Sequence, residues 1–192
     1  MQSVTCERCG QRTPPYDSVH YGNAEGNYRQ WCIACVNHDA ALRMGIHGFE
    51  HTSFAPVCIR DARGVEHTFH FRVRLPGDLA IDAFELVDGS PGGYQFQIMQ
   101  DADTDPWVLL GRLIERIRRA LSLAHLSEDR LGLGISERRV RGRIEAEMDG
   151  HSYLPVLDID GREISWDAFG RRLTAFAGWQ FRLECFDRSE EV

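Results

Sequence analysis

Strict alternation of apolar and polar residues dominates the chain from about His51 onward. Val65, His67, Phe69, Phe71, Val73 and Leu75 share one parity, and Glu66, Thr68, His70, Arg72 and Arg74 share the other. A period of two places successive side chains on opposite faces of a strand. Asp61-Ala-Arg-Gly64 reads as the turn joining this strand to Phe54–Ile59 in a hairpin. The pattern returns in Tyr94, Phe96 and Ile98 around Gln95 and Gln97. It returns again in Val140, Gly142, Ile144, Ala146 and Met148 between Arg139, Arg141, Arg143, Glu145 and Glu147, and in Trp179, Phe181, Leu183 and Cys185. Such runs predict an antiparallel sheet with one dry and one wet face. Leu79–Val87 fits either a strand or a helix.

Two segments carry a helical period instead. Asp105 and Pro106 supply an N-cap and a first-position proline. Trp107, Leu110, Ile114, Ile117 and Leu121 then form the expected buried stripe, with Arg112, Glu115, Arg116 and Arg119 facing water. Ser165 caps a second helix with Trp166, Phe169, Leu173 and Phe176 on its apolar face, and Gly178 ends it. Both helices are expected on the dry face. The fold class is therefore α+β: a small N-terminal module over residues 1–46, then a two-layer domain over 50–188 with a mainly antiparallel sheet. Gly45-Ile-His-Gly48 reads as the joint, and a fragment starting near His51 is expected to fold by itself.

The N-terminal module is marked by Cys6-Glu-Arg-Cys9 and Cys32-Ile-Ala-Cys35, with 22 residues between the pairs. Each Cys-x2-Cys turns two sulfurs toward a common centre, and two such turns supply the four thiolates of a closed tetrahedral zinc site. The predicted cofactor is one structural Zn2+ on Cys6, Cys9, Cys32 and Cys35; two disulfides or four free thiols are the alternatives. Tyr16–Tyr21 and Tyr28–Trp31 read as short strands, and Val36–Met44 as a helix stopped by Gly45. A knuckle, a hairpin and a helix carrying the second pair describe a treble clef, with a zinc ribbon as the near alternative. Cys58 and Cys185 stand apart in apolar stretches and are expected to be buried.

The remaining composition narrows the chemistry. The 192 residues contain no lysine, which excludes a Schiff-base lysine and a Walker-type phosphate loop. A net charge of −7 disfavours life on a phosphate backbone, although a local basic face stays open. No leader and no apolar run long enough to span a membrane are apparent, so the expected location is the cytoplasm, where thiols stay reduced.

Several tempting sites fail on their spacing. His67 and His70 point to opposite faces of one strand, and His67 reads as a hydrogen-bonded core residue. In Asp101-Ala-Asp103-Thr-Asp105, Pro106 and Arg112 occupy the glycine and glutamate positions of a calcium loop. Asp158-Ile-Asp160-Gly161 is a turn, and Gly132-Leu-Gly134 lacks the third glycine of a dinucleotide loop. His20, Asn23, Asn27 and His38 suggest a His-Asn-His nuclease, but only 11 residues separate His20 from Cys32. The wet face remains: Arg72, Arg74, Arg139, Arg141, Arg143 and Arg182 with Gln95 and Gln97 could receive an acidic partner. The bland reading is a solvated face balanced by Glu145, Glu147 and Glu184.

Taken together, CERCG, FEHTSFAP, GGYQFQIMQ and DGREISWDAFGRRLTAFAGWQFRLE resemble an uncharacterised bacterial family with a four-cysteine zinc module before an α+β domain of unknown function. The resemblance implies a fold and no activity. The function expected is a zinc-stabilised binding or adaptor protein with no catalysis of its own and another protein as its partner. A degenerate His-Asn-His-type metal nuclease and a zinc-containing nucleic-acid-binding regulator are the alternatives.

Overall fold

The computed structural model describes residues 3–22, 26–75, 77–129, 132–136, 138–149, 152–187 and 190. A short ladder, β1 (Val4–Thr5) with β2 (Arg12–Thr13), closes the first cysteine turn. A 3-10 turn at Pro15–Asp17 leads into the hairpin of β3 (Ser18–Tyr21) and β4 (Arg29–Cys32). Helix α1 (Ile33–Arg43) follows without a loop. It starts three residues before the expected Val36, because extended Cys32 acts as its N-cap residue. Gly45, at φ +73°, ends it as expected, with Ile46 N–H returning to the Ala41 carbonyl.

The next unit is a four-stranded antiparallel sheet in the order β5 (Val57–Arg60), β6 (Glu66–Arg74), β7 (Leu79–Val87), β8 (Ser90–Gln100). The Asp61 carboxylate shapes the expected β5–β6 turn by accepting from Arg63 and Val65 N–H. Leu79–Val87 is a strand: paired on both sides, it buries both parities. Register pairs Phe71 with Ala83 and Val73 with Ile81, which gathers the apolar parity on one face. Helix α2 (Pro106–Leu121) packs Leu109, Leu110, Leu113, Ile117 and Leu121 against that face. Asp105 caps it by accepting from Trp107 N–H at 2.8 Å. The stripe is rotated from the expected one. Trp107 is 63% exposed, its ring edge on Phe54, and Ile114 is only half-buried. Arg116 is also half-buried and donates to the Gln97 carbonyl. The apolar residues allow either register, and the one adopted buries Leu109 and Leu113 on the sheet.

The second helix covers a different sheet, which corrects the single two-helix layer expected. After the hairpin β9 (Leu126–Asp129) and β10 (Gly132–Ile135), strands β11 (Arg143–Asp149), β12 (Ser152–Ile159) and β13 (Arg162–Ser165) form a separate antiparallel sheet in that order. Helix α3 (Trp166–Leu173), capped by Ser165, packs Phe169 toward Leu126, Leu157, Ile159 and Ile164. Its Trp166 and Leu173 stay half exposed. Asp160 adopts φ +53° and Gly161 φ +69° in the β12–β13 turn, and a Cβ on Gly161 would lie 2.8 Å from the Tyr94 ring. The Asp160 carboxylate accepts from His125 and Leu126 N–H, so this turn also anchors the chain leaving α2.

Trp179–Cys185 is not a strand. Residues 179–187 carry neither helix nor strand, and Phe181 is 92% exposed. Alternation supplies a strand's two faces, but a strand also needs a neighbour to take its backbone groups. Cys58 and Cys185, expected in the core, are both exposed. Cys58 lies on edge strand β5 against Thr68, and Cys185 lies in this unpaired segment.

The cysteine module is tied to the first sheet by more than its linker. Asn37 of α1 is fully buried; it donates to the Val73 carbonyl at 2.7 Å and accepts from Leu75 N–H at 3.0 Å. Its amide also meets His51 Nδ1 at 3.1 Å. Ala41 joins the core beneath α2. On the opposite sheet face, Tyr16 packs edge-on to Phe84 and His70, and its carbonyl accepts from Arg72. Asn37→Ala is expected to cost about 2–4 kcal/mol in urea unfolding, because two buried backbone groups lose their partner. Loss below about 0.5 kcal/mol would mean that water replaces the amide there. The same contacts lead us to expect that a fragment starting at His51 is poorly stable, with Phe84 uncovered.

Candidate metal centre

Local backbone geometry brings four sulfurs together. Cys6 opens a tight turn in which Gly10 N–H bonds the Cys6 carbonyl, and Gly10 takes φ +75°. Cys6 N–H bonds the Gln11 carbonyl, which fixes the loop on the β1–β2 ladder. Glu7 and Gln30 exchange bonds, Glu7 N–H to the Gln30 carbonyl and Gln30 N–H to the Glu7 carboxylate, and so dock this turn on β4. Cys32 ends β4 and Cys35 lies in the first turn of α1, which aims the second pair at the first.

The sulfurs of Cys6, Cys9, Cys32 and Cys35 all lie within 4.8 Å of one another. Two edges measure 3.8 Å (Cys6–Cys35) and 3.9 Å (Cys9–Cys32). A tetrahedral thiolate site with bonds of about 2.3 Å has edges of about 3.8 Å. The cysteines are free, not disulfide-bonded, and the four could hold a metal ion. Cys32 N–H donates to Cys6 Sγ at 3.2 Å, which supports negative charge on that sulfur. Burial opposes ionisation of Cys6, yet the N–H groups of Cys32, Cys9 and Arg8 outweigh it and bring its pKa down to about 6. Burial and neighbouring thiols push Cys35 up; burial also dominates the rise at Cys32. Further ionisation of the cluster therefore calls for a cation.

A layered stack braces the module beside this centre. Arg8 lies over Trp31 at 4.6 Å, Trp31 stacks on Tyr21 at 4.8 Å, and Arg43 covers Tyr21 at 5.8 Å. Asp39 bonds the Tyr21 hydroxyl and pairs with both arginines. The nuclease candidates do not assemble with it. His20 is exposed on β3 and His38 is exposed on α1, Asn27 is exposed in the loop before β4, and Asn23 lies outside the described residues. Among the described residues, only the four cysteines bring three or more metal-ligating side chains together.

The candidate partner-binding arginines do not share one face. Arg72 and Arg74 converge on Asp82, which is 2% exposed, with contacts of 2.7–3.2 Å, and Gln97 donates to the same carboxylate at 2.9 Å. Burial pushes the Asp82 pKa up, but Arg74 and then Arg72 prevail and hold it below its ordinary value. Arg143 belongs to the second sheet, pairing with Asp158 at 3.1 Å and with Glu145. Burial nevertheless raises Asp158 to about 6. Arg139 and Arg141 precede β11, and Arg182 pairs with Glu184 in the unpaired C-terminal segment. His67 is the expected hydrogen-bonded residue, on Glu85 at 2.9 Å. Asp82 and Asn37 are the organising polar residues that the sequence did not single out. The single carboxylate inside the apolar stretch Leu79–Phe84 is the signal that could have pointed to the first.

Residues 5–47, 50–122 and 125–190 match three family models, each described as a domain of unknown function: DUF7685, DUF7686 and DUF7713, respectively. Three families of unknown function cover the chain. The matched segments coincide with the cysteine module, the four-stranded sheet with α2, and the second sheet with α3. No curated protein and no solved structure matches. No helix among the described residues is long and apolar enough to cross a membrane.

Proposed function

We propose that the four cysteines hold one structural zinc ion, and that the protein is a cytoplasmic binding or adaptor protein without chemistry of its own. The observation that carries this reading is the all-sulfur donor set at tetrahedral edge lengths. Four thiolates fill the coordination of zinc and leave no position for water or substrate. A second ligand pair in the first turn of a helix, after a hairpin, favours a treble clef over a ribbon. Exposed Trp107 and Val108 on α2 supply apolar area for a protein partner.

Capture of a protein partner by the zinc-loaded chain, measured by quantitative mass spectrometry, tests the reading. Arg139→Glu with Arg141→Glu is the variant to compare, since reversing Arg143 would also leave Asp158 unpaired. The expected outcome is at least about a tenfold loss of partner signal at unchanged thermal stability. Metal-dependent nicking of plasmid DNA that disappears in His20→Ala would overturn it in favour of a nuclease. Salt-dependent retardation of DNA or RNA would favour the nucleic-acid regulator.

A further inference from the structure

The C-terminal segment has a strand's pattern but pairs with no strand among the described residues, while β11 is the edge of a three-stranded sheet. On β11, Ile144 is 57% exposed and Ala146 is also exposed, although both share the face that buries Leu157. An uncovered apolar edge and an unpaired apolar segment in the same chain are liabilities that pairing with each other removes.

One antiparallel register satisfies both partners. It sets Phe181 opposite Ala146 and Leu183 opposite Ile144, so that apolar meets apolar. It also sets Arg182 opposite Glu145 and Glu184 opposite Arg143, so that each charge meets its opposite. A slip of one residue would place Phe181 against Glu145 or Glu147. A slip of two would place Arg182 against Arg143, or Glu184 against Glu145. In the monomer these charges pair locally, Arg143 with Glu145 on β11 and Arg182 with Glu184 in the C-terminal segment.

The contacts of Trp179 hold the segment out of this register within its own chain. Trp179 lies under the Arg138 guanidinium at 4.9 Å, close in sequence to the start of β11. The register places Trp179 opposite Met148, five residues further along β11 and so about 17 Å away. Trp179 follows α3 and its 3-10 turn directly and is held to Phe176 by both a backbone bond and ring contact. We propose that residues 179–185 pair with β11 of a second copy of this chain, exchanged reciprocally about a two-fold axis. Such an exchange is isologous, so each charge pair and each apolar pair occurs twice.

Equilibrium sedimentation of the metal-loaded full chain tests this, together with two designed exchanges. Arg182→Glu should weaken the dimer at least about tenfold, because two like-charge pairs replace two attractive ones. Adding Glu145→Arg should restore it. In a background of Cys58→Ser and Cys185→Ser, mixing separately purified Phe181→Cys and Ala146→Cys proteins should give a disulfide-linked heterodimer. A monomer at all concentrations overturns the proposal. So does a dimer that forms no such cross-link or ignores the charge exchange. A Phe181→Cys/Ala146→Cys double variant that cross-links only within one chain also overturns it, because the segment would then close its own sheet.

Discussion

Cys6→Ser is expected to abolish stoichiometric metal binding and to unfold the N-terminal module. Cys6 is buried, its sulfur accepts the Cys32 N–H, and it lies 3.8 Å from the Cys35 sulfur in the cluster. A unit of this size buries too little apolar surface to stand without its metal. If the ion is zinc, its binding is worth roughly 10–16 kcal/mol of folding free energy. The loss should spread. Asn37 and Ala41 leave the first sheet's core when α1 melts, and Tyr16 leaves Phe84. The thermal transition of the rest of the chain should therefore move down as well, which departs from the independent domain expected of the linker composition. Elemental analysis with amide-resolved NMR checks both parts. A Cys6→Ser protein retaining one metal per chain would sink the site. An unshifted transition for the four-stranded sheet would sink the coupling.

Asp82→Ala is expected to destabilise the chain by about 3–5 kcal/mol, the cost of leaving buried charge without its counter-charge. The removed carboxylate answers Arg72, Arg74 and Gln97 together, and Arg72 also holds the Tyr16 carbonyl of the module. Asp82→Asn should cost less, since it keeps acceptor capacity at one oxygen. The pH dependence has a definite sign. The folded pKa of Asp82 is depressed, so its contribution is fully present above the ordinary aspartate value of about 3.9 and is lost as pH falls through the lower folded value. Acid unfolding should therefore be steeper for wild type than for Asp82→Ala in that range. Equal urea midpoints for the two proteins at neutral pH would refute the hub.

Features of short range were legible without coordinates. The spacing of the cysteine pairs led to one cluster, because a Cys-x2-Cys turn aims its own sulfurs and needs little else. Asp105 and Ser165 cap their helices through bonds to residues two and three positions on. Asp61 shapes its turn within four residues. The alternation of Glu66–Arg74 assigned each side chain its face, because the pleat has a period of two wherever the strand lies.

What periodicity cannot state is what lies against a face. Arg72 and Arg74 have the polar parity, yet they are drawn onto a buried carboxylate on the next strand and roofed by Tyr16, 56 residues from Arg72. Helix α2 leaves Trp107 exposed because Leu109 and Leu113 are the residues packed into the core with the sheet beneath it. Trp179–Cys185 makes the point most sharply. Its alternation is as clean as that of Glu66–Arg74, but hydrogen-bonding partners make a strand, and no strand among the described residues pairs with this segment. Sequence alone determined the four-cysteine cluster, the caps, the turns and the parity of the Glu66–Arg74 strand. The tertiary structure decided which sheet each helix covers, where the module docks and which charges are buried, because those depend on contacts between residues far apart in the chain.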